Sequence, residues 1–362
     1  MSDKPTPQPG ILKIAPYVPG RAAAPGAKPG IKLSANESPL GASPKAIAAY
    51  RTFADKLEIY PEGSSRELRA ALGEVHGLDP ERIVAGAGSD ELLHLLAQTY
   101  IGDGDEAVMS QYGFMVYPIV TQAAGGAPVI APETDYCADI DALIGAVTER
   151  TKIVFLANPN NPTGSYLNAA ALARLQAGLP SDVLLVIDSA YAEYVTAEDY
   201  TVGIELVGRA QNVVMVRTFS KMGLAGLRIG WLYGPEHVVD ALNRIRGPFN
   251  LSTPAQAAGV AAARDTEFTK ALCAHNALWR DWLTKKLNSN RIRVLPSQGN
   301  FILALFSDAE TATAANAALL EDGLVVREMG GYGIDNGLRI SIGSAAAMEA
   351  VADCLGKFME ER

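Results

Sequence analysis

The chain has 362 residues, of which 48% are hydrophobic, and carries a net charge of −9 with a pI near 5.1. That length points to about two domains with a large core. The acidic balance gives no electrostatic reason to expect nucleic acid or an anionic membrane as partner, and no run of 18 apolar residues is present to cross a bilayer.

The first thirty residues, "MSDKPTPQPGILKIAPYVPGRAAAPGAKPG", are rich in Pro, Gly and Ala and hold no apolar stretch of signal-peptide length. They read as a loosely structured arm. From about residue 64 the pattern alternates helix and short apolar strand. Ser64 and Glu67 in "SSRELRAALGEVHG" have the spacing of a capping box ahead of a helix. "RIVAGAG" reads as a strand entering a glycine loop, and "SDELLHLLAQTYIG" as an amphipathic helix. "EAVMS", "APVIA", "KIVFLA", "DVLLVID" and "NVVMVRT" follow as strands, with helical stretches such as "DALIGAV" and "AAALARLQAG" between several of them. Short apolar strands separated by helices imply a parallel sheet covered on both faces.

This core is expected to end near Pro248. Ser252 or Thr253 then caps a helix with Pro254 in its first turn, and a long helix runs through "FTKALCAHNALWRDWLTKKL". Trp279, Trp282 and Leu283 have the spacing of a core stripe. "IRVLP", "NFILALF", "LVVREM" and "LRISIG" read as strands of a smaller α+β unit, with helices around 309–322 and 344–360. The expected division is a large domain over 44–250, with the arm at 1–43 and a small domain at 251–362.

Three cysteines, Cys137, Cys273 and Cys354, lie far apart with no CxxC pair. They fit a reducing, cytoplasmic setting and neither a zinc site nor a disulfide framework. The four histidines sit in or near helical stretches and are assigned neither metal nor catalysis.

The strand ends carry the chemistry. Ligands of open α/β sheets bind beyond the carboxyl ends of the strands. "VLLVID" ends in Asp188, which could also be a simple helix cap. "KIVFLA" runs into "NPNNPTG", a common turn composition. "RIVA" runs into Gly86, Gly88 and Ser89 at a helix start, where backbone amides suit a phosphate. "NVVMV" leads to Lys221, followed by Gly223, Gly226 and Gly230. A lysine beside a buried strand is costly unless its charge is used or lost. An amine, a carboxylate, an amide and an anion nest at neighbouring strand ends match the needs of pyridoxal phosphate: a lysine to hold it, an acid against its ring nitrogen, a donor near its phenolic oxygen and a phosphate site.

The motifs "NPNNPTG", "DSAYAEY" and "RTFSKMGLAGLRIGW", in that order, resemble those of the fold-type I aminotransferases. "LSANESPLG", "YPEGSSRELRAAL", "GSDELL", "RGPFNLSTPAQAA" and "GGYGIDNGLRISIG" narrow the resemblance to histidinol-phosphate aminotransferases and their aromatic-amino-acid relatives, over about residues 12–360. It implies an aspartate aminotransferase-like α/β fold: a large domain with a mixed, mostly parallel sheet and helices on both faces, plus a smaller α+β domain. It also implies a pyridoxal 5'-phosphate cofactor and a homodimer with shared active sites. The implied reaction is transamination of L-histidinol phosphate with 2-oxoglutarate. The runner-up is an aromatic transaminase acting on tyrosine or phenylalanine, and the same pocket suits both.

By the resemblance, Lys221 holds the cofactor and Asp188 faces the ring nitrogen. Asn161 and Tyr191 bond the phenolic oxygen, and Tyr112 stacks on the ring. Ser89, Asp90, Ser220 and Arg228 hold the phosphate, joined by Tyr60 from the neighbouring subunit. Arg339, helped by Arg327, binds the substrate anion, with Tyr17 and Asn36 on the substrate side. From Lys221 to Arg228 is seven positions (228 − 221), one fewer than in many members, and "DSAY" stands where many have "DEAY". Two other readings are a decarboxylase on the same scaffold and a cofactor-sensing transcription regulator. The regulator would need a basic DNA-binding domain, and only about 35 residues precede "LSANESPLG", with no helix-turn-helix pattern.

Overall fold

The computed structural model describes residues 5–16 and 30–362. Its strands are β1 (Ile31–Lys32), β2 (Ile83–Gly86), β3 (Glu106–Ser110), β4 (Ala127–Ala131), the small hairpin β5 (Glu133–Thr134) and β6 (Cys137–Ala138), β7 (Thr151–Ala157), β8 (Leu184–Asp188), β9 (Val213–Thr218), β10 (Gly230–Tyr233), β11 (Arg293–Val294), β12 (Phe301–Leu305), β13 (Leu324–Val325), β14 (Arg327–Glu328) and β15 (Gly337–Ser341). The helices are α1 (Pro44–Arg51), α2 (Arg66–His76), α3 (Gly88–Tyr100), α4 (Val116–Ala123), α5 (Ile140–Gly145), α6 (Ala169–Gly178), α7 (Ile204–Arg209), α8 (Glu236–Ile245), α9 (Thr253–Arg264), α10 (Thr266–Ser289), α11 (Ala309–Glu321) and α12 (Ala345–Glu360).

The large sheet has the order β2-β10-β9-β8-β7-β3-β4. β4, β3, β7, β8 and β9 pair parallel, while β10 is antiparallel to both β9 and β2. The exception follows from connection length. Residues 219–229 join β9 to β10, too short a link for a parallel crossover, so the chain turns back on itself. The central strands are apolar along their whole length because both faces are covered. Along β8, Leu185 and Ile187 enter the core under α6, whereas Leu184 and Val186 enter the core shared with α3 and α4. Strand alternation therefore puts Asp188 on the α3–α4 face.

The smaller unit has the antiparallel order β11-β12-β15-β14. β1 pairs parallel with β13, which ties the segment before α1 to this unit. Leu33, Leu283, Leu287, Ile302, Ile340, Val351 and Leu355 form its core, and Trp279 and Trp282 pack against that core at helical spacing.

The division expected at 250/251 falls just before α9. Leu251, Ala255 and Ala258 bury into the core of the large unit, so α9 packs there, and α10 carries the chain across. Asp265 closes α9 and opens α10, and it accepts hydrogen bonds from Ser43 Oγ at 2.5 Å and Lys45 Nζ at 2.8 Å. The Ser64–Glu67 capping box does not form. Ser65 stands at φ +50 ahead of α2, and the Glu62 carboxylate caps the turn instead, accepting from Ser64 N at 2.9 Å and Arg66 N at 2.8 Å. Hydrogen bonding, the Ser64 hydroxyl first, holds its pKa down at about 2. The expected cap at Ser252 is present, with its hydroxyl accepting from Ala255 N at 3.4 Å.

Candidate active site

The carboxyl ends of β7, β8 and β9, the start of α3 and the β14–β15 edge of the small unit enclose a cleft of about 280 Å3. Lys221, Asp188, Asn161, Tyr191, Ser89, Asp90, Ser220, Arg228, Asn36, Arg327 and Arg339, all singled out in the sequence, line it together. They come from segments spread over three hundred residues, and the sheet brings them together because parallel strands all end on one side.

The anion nest is built by close backbone approach. Gly88 stands at φ +85, and a Cβ there would lie 2.4 Å from Arg228 Nη2. A Cβ on Gly230 would lie 2.3 Å from Ser89 N. Arg228 takes a left-handed conformation at φ +50, and this turns its guanidinium back to Ser220 Oγ at 3.0 Å and Asp90 Oδ2 at 2.9 Å. The seven-position interval therefore still delivers the arginine to the start of α3. Thr218 Oγ1 donates to Ser220 Oγ at 2.9 Å. Glu91 Oε2 accepts from the Ala87 amide at 2.5 Å and from Asn250 Nδ2 at 2.8 Å, so it takes one backbone amide of this loop and leaves those at the start of α3.

Lys221 lies in the turn after β9, with its Nζ 5.5 Å from the Tyr191 ring centroid. Burial, then the positive charges of Arg339 and Arg228, lower its pKa to about 8. Asp188 is buried at the end of β8. Desolvation raises its pKa to about 6, against the Tyr117 hydrogen bond, the Ala190 amide and Lys221, which all favour the anion. A poised amine and a carboxylate at one ligand cleft are the pattern expected of a reactive centre.

The opposite wall comes from the small unit. Arg327 and Arg339 are direct cross-strand partners on β14 and β15. Arg339 Nη1 donates to Asn161 Oδ1, and its Nη2 donates to the Ser34 carbonyl at 2.8 Å. Two neighbouring guanidinium groups in a half-enclosed cleft attract an anionic ligand. Asn36 is buried at φ +55. Its Nδ2 donates to Tyr191 Oη at 3.0 Å, and its backbone is held by Ser341 Oγ at 2.8 Å and Asn300 Nδ2 at 3.0 Å.

Two of the expected residues, Tyr112 and Tyr60, do not line this chain's own cleft, as the resemblance implies for Tyr60. Tyr112 is not among the cleft-lining residues; it stacks on Tyr136 at 5.3 Å. Phe114 lines the cleft instead. Tyr60 is 77% exposed and stacks on Phe249 at 4.7 Å, away from this chain's own cleft. Tyr17 lies outside the described residues. Sequence reading missed Phe114, Tyr332 and Ser34 on the cleft wall, and Tyr117, which reaches Asp188 from 71 residues away. Ser34 and Tyr332 lie within the motifs "LSANESPLG" and "GGYGIDNGLRISIG", but the sequence reading gave neither a role of its own.

The sequence profile of the family "Aminotransferase class I and II" matches residues 28–355. The chain is 54% identical to the histidinol-phosphate aminotransferase of Nitrobacter winogradskyi, over 98% of this chain and 99% of that one. It is 53% identical to the enzyme of that name from Rhodospirillum rubrum, over 98% and 97%. The crystal structure of histidinol-phosphate aminotransferase from Sinorhizobium meliloti in complex with pyridoxal-5'-phosphate superposes with a TM-score of 0.86 at 31% identity, covering 91% of this chain and 90% of that one. An aspartate aminotransferase from Thermotoga maritima, at 19% identity and a TM-score of 0.82 with coverage of 91% and 92%, shares the fold.

Proposed function

The chain belongs to the class I and II aminotransferases, and from that premise we propose that it transfers the amino group of L-histidinol phosphate to 2-oxoglutarate, giving imidazole-acetol phosphate and glutamate. Its cofactor is pyridoxal 5'-phosphate. The residues present fit that group. The nest of Ser89, Ser220 and Arg228 offers donors to a phosphate, Asp188 offers a carboxylate to a ring N–H, and Asn161 and Tyr191 offer donors to a phenolic oxygen. When bound, the cofactor supplies an electron-accepting ring joined to the substrate's amino group.

The chain's own residues would do the rest. Lys221 Nζ, with its pKa near 8, is neutral in about a tenth of molecules at pH 7, far more than an ordinary lysine. It would hold the cofactor and then take and return the Cα proton. Asp188 would keep the cofactor's ring nitrogen protonated. Arg339 and Arg327 would grip the anion each substrate brings, a carboxylate from glutamate and a phosphate from histidinol phosphate.

The observation that carries this reading is the pairing of a poised lysine and a buried carboxylate on one wall with two cross-strand arginines on the other. Stopped-flow single turnovers test it. The purified yellow enzyme should react with L-histidinol phosphate faster than with tyrosine or phenylalanine. Faster turnover of either aromatic amino acid would reassign the substrate.

The enzyme acts as a two-fold dimer in this reading. Leu57, Ile59, Tyr60, Ile245 and Phe249 are exposed large apolar residues, and Tyr60 stacks on Phe249, as residues of an interface would be. Tyr60 would contribute to the other subunit's phosphate site. Among the described residues no helix is long and apolar enough to cross a membrane, and the three cysteines are unpaired. Both observations are compatible with work in the cytoplasm.

A further inference from the structure

Asp188 is a buried carboxylate whose charge desolvation opposes, and among the described residues it makes no salt bridge. Its two oxygens are hydrogen-bonded from different directions. The Ala190 amide donates to Oδ1 at 3.2 Å, and the Tyr117 hydroxyl donates to Oδ2 at 2.9 Å. The remaining charged groups that act on it are Asp90, which opposes its ionisation, and Lys221, which favours it; Tyr191 stands nearby on the cleft side.

Tyr117 comes from α4, on the same face of the sheet as Asp188, and is fully buried. Its ring is fixed by a stacked contact with Phe155 at 5.0 Å and an edge contact with Phe114 at 5.9 Å. Phe155 is on β7 next to β8, so the ring is clamped over the strand that carries Asp188. Tyr117 does not line the cleft. Its hydroxyl points at one acceptor only among the described residues, and burial together with the Asp188 charge pushes its own pKa well above 10. It is thus a donor around neutral pH.

The geometry points to Tyr117 as the positioning residue of the Asp188 carboxylate: a fixed donor that holds Asp188 anionic and oriented toward the cofactor's ring nitrogen. A donor that cannot lose its proton stabilises only the charged form of its acceptor. Without it, Asp188 would keep one amide contact and a larger share of the protonated, uncharged form. This inference rests on the assignment of Asp188 to the ring nitrogen for its consequence in catalysis, but not for its effect on Asp188 itself.

The test uses Tyr117→Phe, which keeps the clamped ring and removes the hydroxyl. In the cofactor-free protein, the Asp188 titration midpoint, followed by carboxylate infrared difference spectra against Asp188→Asn, should rise by about one pH unit, as loss of a hydrogen bond to a charged group requires. In the loaded enzyme, kcat should fall about tenfold with the acid side of its pH profile moved up, and cofactor should still bind. Site-specific 3-fluorotyrosine at position 117, a stronger donor of the same shape, should move the midpoint down; it also decides the matter if Tyr117→Phe folds poorly. An unmoved midpoint in both variants overturns the inference, even if thermal stability drops. A shifted midpoint with unchanged kcat keeps the hydrogen bond and refutes the role of Asp188 at the ring.

Discussion

Replacing Arg339 separates its charge from its shape. Arg339 is 7% exposed, its guanidinium stands over the Phe301 ring at 5.5 Å, and two of its donors are used, one on Asn161 Oδ1 and one on the Ser34 carbonyl. A lysine would keep one positive charge but could not span both partners and still meet a substrate anion. Loss of one charge-assisted hydrogen bond is worth about 1.5–3 kcal/mol, so Arg339→Lys should lower kcat/KM on the order of 10–100-fold in both half-reactions. Arg339→Gln adds a second effect. Arg339 is the strongest neighbouring charge holding down the Lys221 pKa. With that charge gone, the protonated amine becomes less unfavourable, the pKa rises, and the limb of the pH–rate profile set by neutral Lys221 moves to higher pH. Arg339→Lys should leave that limb in place. Stopped-flow turnovers with glutamate and with histidinol phosphate, repeated from pH 6 to 10, would measure both. The reasoning fails if only one half-reaction suffers, for Arg327 then carries the other anion, or if the limb moves equally in the two variants.

Asp188→Asn should cost activity and gain stability. Desolvation raises the Asp188 pKa from 3.8 to about 6, so its charge disfavours the cofactor-free fold above pH 6, and this penalty fades as pH falls toward 3.8. The step corresponds to about 3 kcal/mol at most; calorimetry of the cofactor-free variant should show a larger gain in Tm at pH 8 than at pH 5, while kcat of the loaded enzyme drops. Gly88→Ala should weaken cofactor binding about tenfold or more in equilibrium titration, because its Cβ meets Arg228 and φ is +85. Lys221→Ala should abolish the cofactor link that borohydride traps. Mixing Lys221→Ala with Tyr60→Phe protomers should restore activity above either parent if Tyr60 acts across the interface; mixed dimers with no gain would place it elsewhere.

The sequence by itself determined the large sheet's strands and the ends that matter. "VLLVID" and "NVVMVRT" are apolar on both faces, which only a doubly covered strand allows, and parallel strands deliver their last residues to one edge. Asp188 and Lys221 were legible for that reason, as was the cap at Ser252, where donor and acceptor lie three residues apart. The tertiary structure alone decided what depends on partners distant in the chain. Glu62 displaced the Ser64 capping box because Ser65 turns left-handed before α2. α9 joined the large unit because its small apolar face packs on α1 and α2. Phe114 lines the cleft, while Tyr112 stacks on Tyr136. Tyr117 met Asp188 only because α4 packs over β3 and β4 and its side chain reaches across to Phe155 and Asp188. Residue type and periodicity report what a side chain needs from its near neighbours; which distant group meets a buried carboxylate is set by how the layers pack.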